Sequence, residues 1–284
     1  MNARTIALAA TVLGLAVIPA KADIQSALIG RTIENTQTGP STVNQAFTFF
    51  FSGAYLFNAT DYDTGMLTYP GPASPQTLTP GVLAGGPNLG FQTFGIPLST
   101  LNSDYPFGTY TIQATNTSTS AVSSAVGINY TADGYTSDIP MLSAASFNLF
   151  ASGFNPFVSN TINFNSFTPG PGSNQAFLFF YIFPLTPGFA APFLPPSTTS
   201  VTIPAGTLLP GTSYIWDIDF DSRIQSTDIN GSGIGTQQLF DVRTFGTFTT
   251  LTTPEPASLA LLAPVTAFFL YVLRRRRSRK TAVV

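Results

Sequence analysis

The sequence predicts an all-β body, two β-sandwiches in tandem, set between two terminal segments that have other tasks. Three observations predict it. Phe, Tyr, Thr, Val and Ile are abundant between the termini, and clusters of Gly, Pro, Asn and Ser break them at short intervals. No stretch of that middle shows sustained helical periodicity. The chain has no Cys, so about 230 residues must be held by their own apolar cores rather than by disulfides.

The first element is a leader. Arg4 precedes an apolar run over residues 5–18, and Ala20-Lys21-Ala22 places small residues at the two positions that a signal peptidase reads. Residues 1–22 are therefore expected to form a signal peptide with a helical apolar segment, cleaved after Ala22. A run of about 14 apolar residues falls short of the roughly 20 that cross a bilayer.

The expected sandwiches cover residues 23–135 and 136–252, with their boundary in the stretch 131–140. In the first, residues 46–51 and 108–115 read as strands. In the second, 146–151, 161–167, 176–183, 200–203, 213–221 and 239–249 do. "NQAF" opens an aromatic strand twice, at Asn44 and at Asn174, which suggests related halves without establishing a repeat. The clearest alternation is "YIWDIDFDS". Trp216, Ile218 and Phe220 should point into a core while Asp217, Asp219 and Asp221 point into water, because side chains alternate faces along a strand. Those three aspartates are also the candidate calcium ligands, together with Asp61 and Asp63 in a loop-like segment. Neither set has EF-hand spacing, and hard cations want six to eight oxygens from a wrapped loop. No cofactor is expected.

Charge narrows the function classes. Between residues 23 and 253 there are three basic residues, Arg31, Arg223 and Arg243, against twelve acids, so the printed net charge of −2 conceals an acidic body. Such a surface repels nucleic acid, whose binding rests on Lys and Arg neutralising phosphates. The chain also has no His, which removes the commonest general base, the usual Ser and Cys triads and most zinc sites. A pair of carboxylates could in principle hydrolyse a glycoside, but sequence does not bring two acids across a cleft. The reading is non-enzymatic.

Two stretches resemble known families. Leu208, Pro210, Gly211, Thr212 and Tyr214 follow the order Leu-x-Pro-Gly-Thr-x-Tyr, which resembles the corner of fibronectin type III and other immunoglobulin-like domains. The resemblance implies an immunoglobulin-like fold for roughly 138–252 and a structural role for Tyr214, whose hydroxyl would bond back to upstream backbone. At the other end of that unit, Pro254-Glu255-Pro256 is followed by an apolar run over 257–273 and then by Arg274, Arg275, Arg276, Arg277, Arg279 and Lys280. The run is long enough for a short transmembrane helix, and the basic cluster would hold the C-terminus in the cytoplasm.

This three-part tail, 253–280, resembles the PEP-CTERM sorting signal of exported proteins in Gram-negative bacteria. The resemblance implies recognition by an exosortase, cleavage near the motif and transfer to the cell surface or extracellular matrix. Each proline fixes its own φ and biases the residue before it toward extended backbone, so Glu255 would be presented in strand-like form above the inner membrane. The expected partners are thus signal peptidase, exosortase, the membrane as a C-terminal anchor, and exopolysaccharide, with no nucleic acid. The alternative is an adhesion module that binds carbohydrate or protein, with calcium assisting. Tyr62, Tyr69, Phe91 and Phe94 are its candidate stacking residues.

Overall fold

The computed structural model describes residues 24–83 and 86–252. In chain order the described elements are β1 (Ile24–Gly39), β2 (Thr42–Leu56), β3 (Thr64–Thr68), β4 (Gln76–Pro80), β5 (Asn88–Ile96), α1 (Leu98–Asp104), β6 (Gly108–Asn116), β7 (Ala121–Val122) and β8 (Val126–Tyr130) in the first half. The second half holds α2 (Ala144–Ala151), β9 (Asn160–Asn163), β10 (Gln175–Phe183), β11 (Phe189–Leu194), β12 (Ser200–Ile203), β13 (Ser213–Thr227) and β14 (Gly235–Thr249). The body is mostly β, with two short helices.

One sheet runs through both halves in the order β11-β10-β13-β14-β1-β2-β5-β4-β3-β6-β7, and β8 pairs with β6. The join is made by the two ends of the described chain. β1 pairs with β2 in an antiparallel hairpin and with β14 in parallel, from Ser26 opposite Gly235 to Thr36 opposite Phe245. The tandem reading anticipates two cores but not this shared sheet. β1 is hard to read from sequence because its apolar residues do not alternate cleanly. With a strand on each side, its polar groups are held by the ladders and by neighbours rather than by water.

Two hydrophobic clusters lie on one face of the long sheet. In β13 and β14, Tyr214, Trp216, Ile218 and Phe220 stand opposite Phe248, Gly246, Thr244 and Val242, and all face inward. The cluster of the second half is closed by the small β9–β12 sheet and by α2, where the Phe150 ring lies 4.3 Å from Phe248 and 6.3 Å from Trp216. In the first half the sheet itself returns over β1 and β2, so that Leu67, Tyr110, Ile112 and Ile128 cluster with Ile29, Phe50 and Ala54. Phe240, on the last strand, belongs to this first cluster and packs on Tyr130.

The strand expected at 146–151 is a helix. Ser143 accepts a hydrogen bond on its hydroxyl from the Ser146 amide and caps α2, and Ser146 and Phe150, four residues apart, are the buried positions. Local composition does not separate strand from helix here, since "SFNLFA" is aromatic enough for a strand and the cap becomes visible only with the helix. The strand expected at 161–167 is shorter: β9 ends at Asn163, and Phe164 makes an isolated bridge to Leu142. Residues 200–203 form a strand over those same positions, whereas β13 runs on to Thr227 and β14 begins at Gly235.

Candidate functional site

The outer face of the long sheet gathers most of the charge of the second half. Asp217, Asp219 and Asp221 do leave β13 on the side opposite Trp216, Ile218 and Phe220, but they do not stand in water. Asp217 and Asp221 are 3% and 2% exposed. The cause is register. Arg243 of β14 lies opposite Asp219 on one side and Glu34 of β1 on the other, and Asp221 lies opposite Asp241. Arg243 pairs with Asp217, with Glu34 at 3.2 Å and with Asp219 at 3.8 Å. Arg223 Nε donates to Asp221 Oδ2 at 2.6 Å, and the Thr32 hydroxyl donates to Asp241 Oδ2 at 3.2 Å.

Aromatic rows flank this strip. On β10, Phe177, Phe179 and Tyr181 stand opposite Asp221, Asp219 and Asp217. On β2, Phe49 and Phe51 stand opposite Thr32 and Gly30. Gly30 leaves room for the tip of the Phe51 ring, since an added Cβ would fall 2.0 Å from Phe51 Cζ. The rows continue outward through Phe94, 5.2 Å from Phe49, and Phe193, 5.3 Å from Phe177. These ring contacts all run between strands of the same sheet.

Five carboxylates against two guanidinium groups cannot all stay ionised in so enclosed a strip. Burial, then the neighbouring Asp241 charge, pushes Asp219 well above the usual carboxylate range, and burial with Asp221 does the same to Asp241. Burial also raises Asp221, against the pull of Arg223, and raises Glu34, against that of Arg243. Burial acts to lower Arg243, but Asp217 and Asp219 more than offset it and keep the guanidinium charged. Asp217, Asp219, Asp221 and Asp241 each keep a buried Oδ1 without a hydrogen-bond partner. Successive outward aspartates stand side by side along a strand rather than around a point. Among the described residues no group of three or more Asp, Glu, His or Cys is placed to hold a metal ion. Asp61 instead caps a turn at Asn58, and Asp63 accepts hydrogen bonds from Thr117.

At the corner before β13, Leu208 and Tyr214 are both 2% exposed, and the Leu209 amide donates to the Tyr214 hydroxyl at 2.9 Å. Gly211 takes φ of 63°, which lets the chain turn between Pro210 and Thr212, whose amide donates to Thr250. The corner is thereby tied to the end of β14.

Of the candidate stacking residues, Tyr62 and Tyr69 are buried in the first core and offer no face to a ligand. Phe91 and Phe94 are on a strand, β5, rather than in a loop. Phe91 packs against the core and Phe94 is exposed. The leader 1–22, the motif Pro254-Glu255-Pro256, the apolar run 257–273 and the basic residues from Arg274 to Lys280 lie outside the described residues. Among the described residues no helix is long and apolar enough to cross a membrane.

Sequence reasoning missed the partners of the charged strip, Glu34, Asp241, Arg223 and Arg243, and a second polar node built on Arg31. A signal was available. The body has three arginines, and each is at the centre of an ion-paired group: Arg31 with Asp133, Arg223 with Asp221, Arg243 with Glu34, Asp217 and Asp219.

The chain matches no protein-family model and no curated protein sequence. Among solved structures it is similar to the FN1–FN3 domains of chicken CNTN1, at 10% identity and a TM-score of 0.21 over 78% of this chain and 65% of that one. It is also similar to a structure bearing on host cell surface retention of a 1.5-MDa bacterial ice-binding adhesin, at 13% identity and a TM-score of 0.25 over 82% and 66%. A third is a Ca2+-stabilized adhesin that helps an Antarctic bacterium bind ice, at 12% identity and a TM-score of 0.20 over 78% and 49%. The chain spans about two thirds of the first two and about half of the third.

Proposed function

We propose that this is a non-enzymatic exported protein of the cell surface or extracellular matrix, held at the inner membrane by its tail and then released by an exosortase. The observation that carries the reading is the three-part tail, with Pro254-Glu255-Pro256, an apolar run and a basic cluster in that order. Its position relative to the body supports it. β14 is stitched on one side to β13 and on the other to β1, and the motif follows its last residue, Thr249, after four further residues. A cut there would leave the body complete. The acidic, disulfide-free β body suits the same destination, and the Tyr214 corner supports a fibronectin type III-like second half.

The parallel pairing of β1 with β14 also gives the protein a direction. Ile24 is at the end of the sheet where β14 begins, and the tail leaves from the other end, about 35 Å away along eleven paired residues. Anchored by its tail, the body would hold the Tyr214 corner near the membrane and the new N-terminus outward.

Replacement of Pro254, Glu255 and Pro256 by alanine tests the reading. The apolar run and the arginines carry insertion, so the variant should accumulate uncut in the membrane fraction while the unmodified protein reaches the surface or the medium. Immunoblots of both fractions, in cells with and without an exosortase, give the answer. A triple-alanine protein delivered like the unmodified one would reduce the tail to an ordinary anchor. The second reading, a carbohydrate-binding adhesion module, is favoured by a small pocket beside Arg31 that combines aromatic and polar side chains.

A further inference from the structure

We propose that the pocket beside Arg31 binds one ring of a neutral saccharide. Arg31 is on β1, 2% exposed, and faces the first core beneath the turn that follows β8. Its guanidinium is oriented through Nη1 and Nη2, while Nε is buried without a hydrogen-bond partner. Nη1 donates to the Tyr130 hydroxyl and to Asp133 Oδ1, at 2.6 Å in the second case, and Nη2 donates to Asn102 Oδ1. The Tyr130 hydroxyl in turn donates to Asp133 Oδ1. A cavity of about 180 Å3 opens beside this node, lined by Arg31, Asn102, Tyr105, Pro106, Phe107 and Asp133.

The chemistry of the pocket follows from what the node leaves over. Arginine has donors alone, so Asn102 must turn its carbonyl oxygen toward Arg31 and its NH2 group away. Asp133 spends Oδ1 on Arg31 and Tyr130, and its side chain is 37% exposed, which leaves Oδ2 as an acceptor. One rigid guanidinium therefore fixes a donor and an acceptor side by side at the cavity, and a hydroxyl group both accepts and donates. Beside them Phe107 is 53% exposed, with its ring held edge-on against Tyr130 at 4.9 Å. An exposed aromatic ring packed along one edge suits the C–H face of a sugar. Ionised Arg31 and Asp133 cancel each other, so the pocket favours a neutral ligand over an anion. Its volume lies below the roughly 300–1,000 Å3 of sites that enclose a drug-sized molecule, which limits it to one ring or a chain end. The node is preorganised without ligand, so little ordering is needed on binding.

This inference deepens the carbohydrate-binding reading and rests on it, but not on the route of export. The test uses the full-length protein, purified in a detergent without a sugar headgroup. Titration calorimetry and saturation-transfer NMR would be run with glucose, galactose, mannose and N-acetylglucosamine, and with glucuronate as the charged control. At least one neutral sugar should bind saturably, and glucuronate more weakly. Phe107→Ala and Asp133→Asn should each weaken binding about tenfold or more, the effect of one lost stacking or hydrogen-bonding partner. Phe193→Ala, on the edge strand β11 at the other end of the sheet, should leave binding unchanged. If Asp133→Asn lowers the unfolding midpoint, Asn102→Ala, at an exposed side chain, replaces it and should show the same loss. The site is refuted if none of the four neutral sugars binds, if glucuronate binds more tightly than they do, or if Phe107→Ala and Asn102→Ala leave binding intact. Any of these outcomes leaves the sorting proposal standing, since the tail variants test that independently.

Discussion

Asp241 is where burial and like charge act on one carboxyl together, and its behaviour with pH is calculable in sign. Its folded pKa, like those of Asp219, Asp221 and Glu34, is raised, so the folded protein keeps protons that the unfolded chain releases. Stability must then fall as pH rises from the unfolded carboxylate range, near 3.8, through the raised values. We predict an unfolding midpoint that declines as pH rises above the ordinary carboxylate range, and a shallower decline in Asp241→Asn, which carries no charge to suppress. At pH 8 the variant should melt roughly 2–4 °C higher, equivalent to about 1 kcal/mol in a body of this size. A variant less stable at pH 8 than the parent would mean that the Asp241 charge is compensated in the fold. At this scale the alternation of β13 was legible, because period-two placement needs only the strand. Its environment was not. Asp217 is buried beside Arg243, and Asp221 beside Arg223 and Asp241, and Arg243 and Asp241 reach them only through the register of β14.

Gly246 shows how one element constrains another. Trp216, the sole tryptophan, lies across it from the neighbouring strand, and a Cβ added at Gly246 would come within 2.8 Å of Trp216 Cζ2. The indole cannot retreat freely, because it is buried and its ring runs parallel to that of Phe150 of α2. Gly246→Ala should therefore cost about 1–3 kcal/mol, the usual result of overpacking, and should shift the intrinsic tryptophan emission of the folded state. An unchanged spectrum and unchanged stability would show that the packing between β13, β14 and α2 is looser than described. The same contact explains one failure of the sequence reading. Residues 146–151 are aromatic enough for a strand, and Ser143 as a cap looks like any other serine until the helix has a core to lie on. β13 and β14 were legible because each carries a long alternating run. β1 was not, since residues 27–32 are buried in succession, and a strand covered on both faces need not alternate.

At the scale of the whole molecule, the body is closed by its own ends. Phe240 comes from the last strand but is buried among residues of the first half, against Tyr130 and Tyr135. Phe240→Ala should cost about 3–5 kcal/mol. Hydrogen exchange should accelerate in β6 and β8, more than a hundred residues away in sequence, as well as in β14. Loss of protection confined to the second half would mean that the halves are energetically separate. Sequence reading expected two units and a boundary, because cores can be recognised from local strands. The parallel β1–β14 pair that unites them is a long-range register with no local mark. The proposed destination rests on the two termini, which lie outside the described residues; the leader meets the fold just before β1 and the sorting tail just after β14. Peptide mapping by mass spectrometry of the protein recovered from the surface or extracellular fraction tests both junctions most directly. The expected product is a chain that begins at Asp23 and lacks residues 274–280, with its last native residues near Pro254-Glu255-Pro256. A delivered protein that retains Met1, or that carries Arg274 to Arg277 intact, would contradict the proposal.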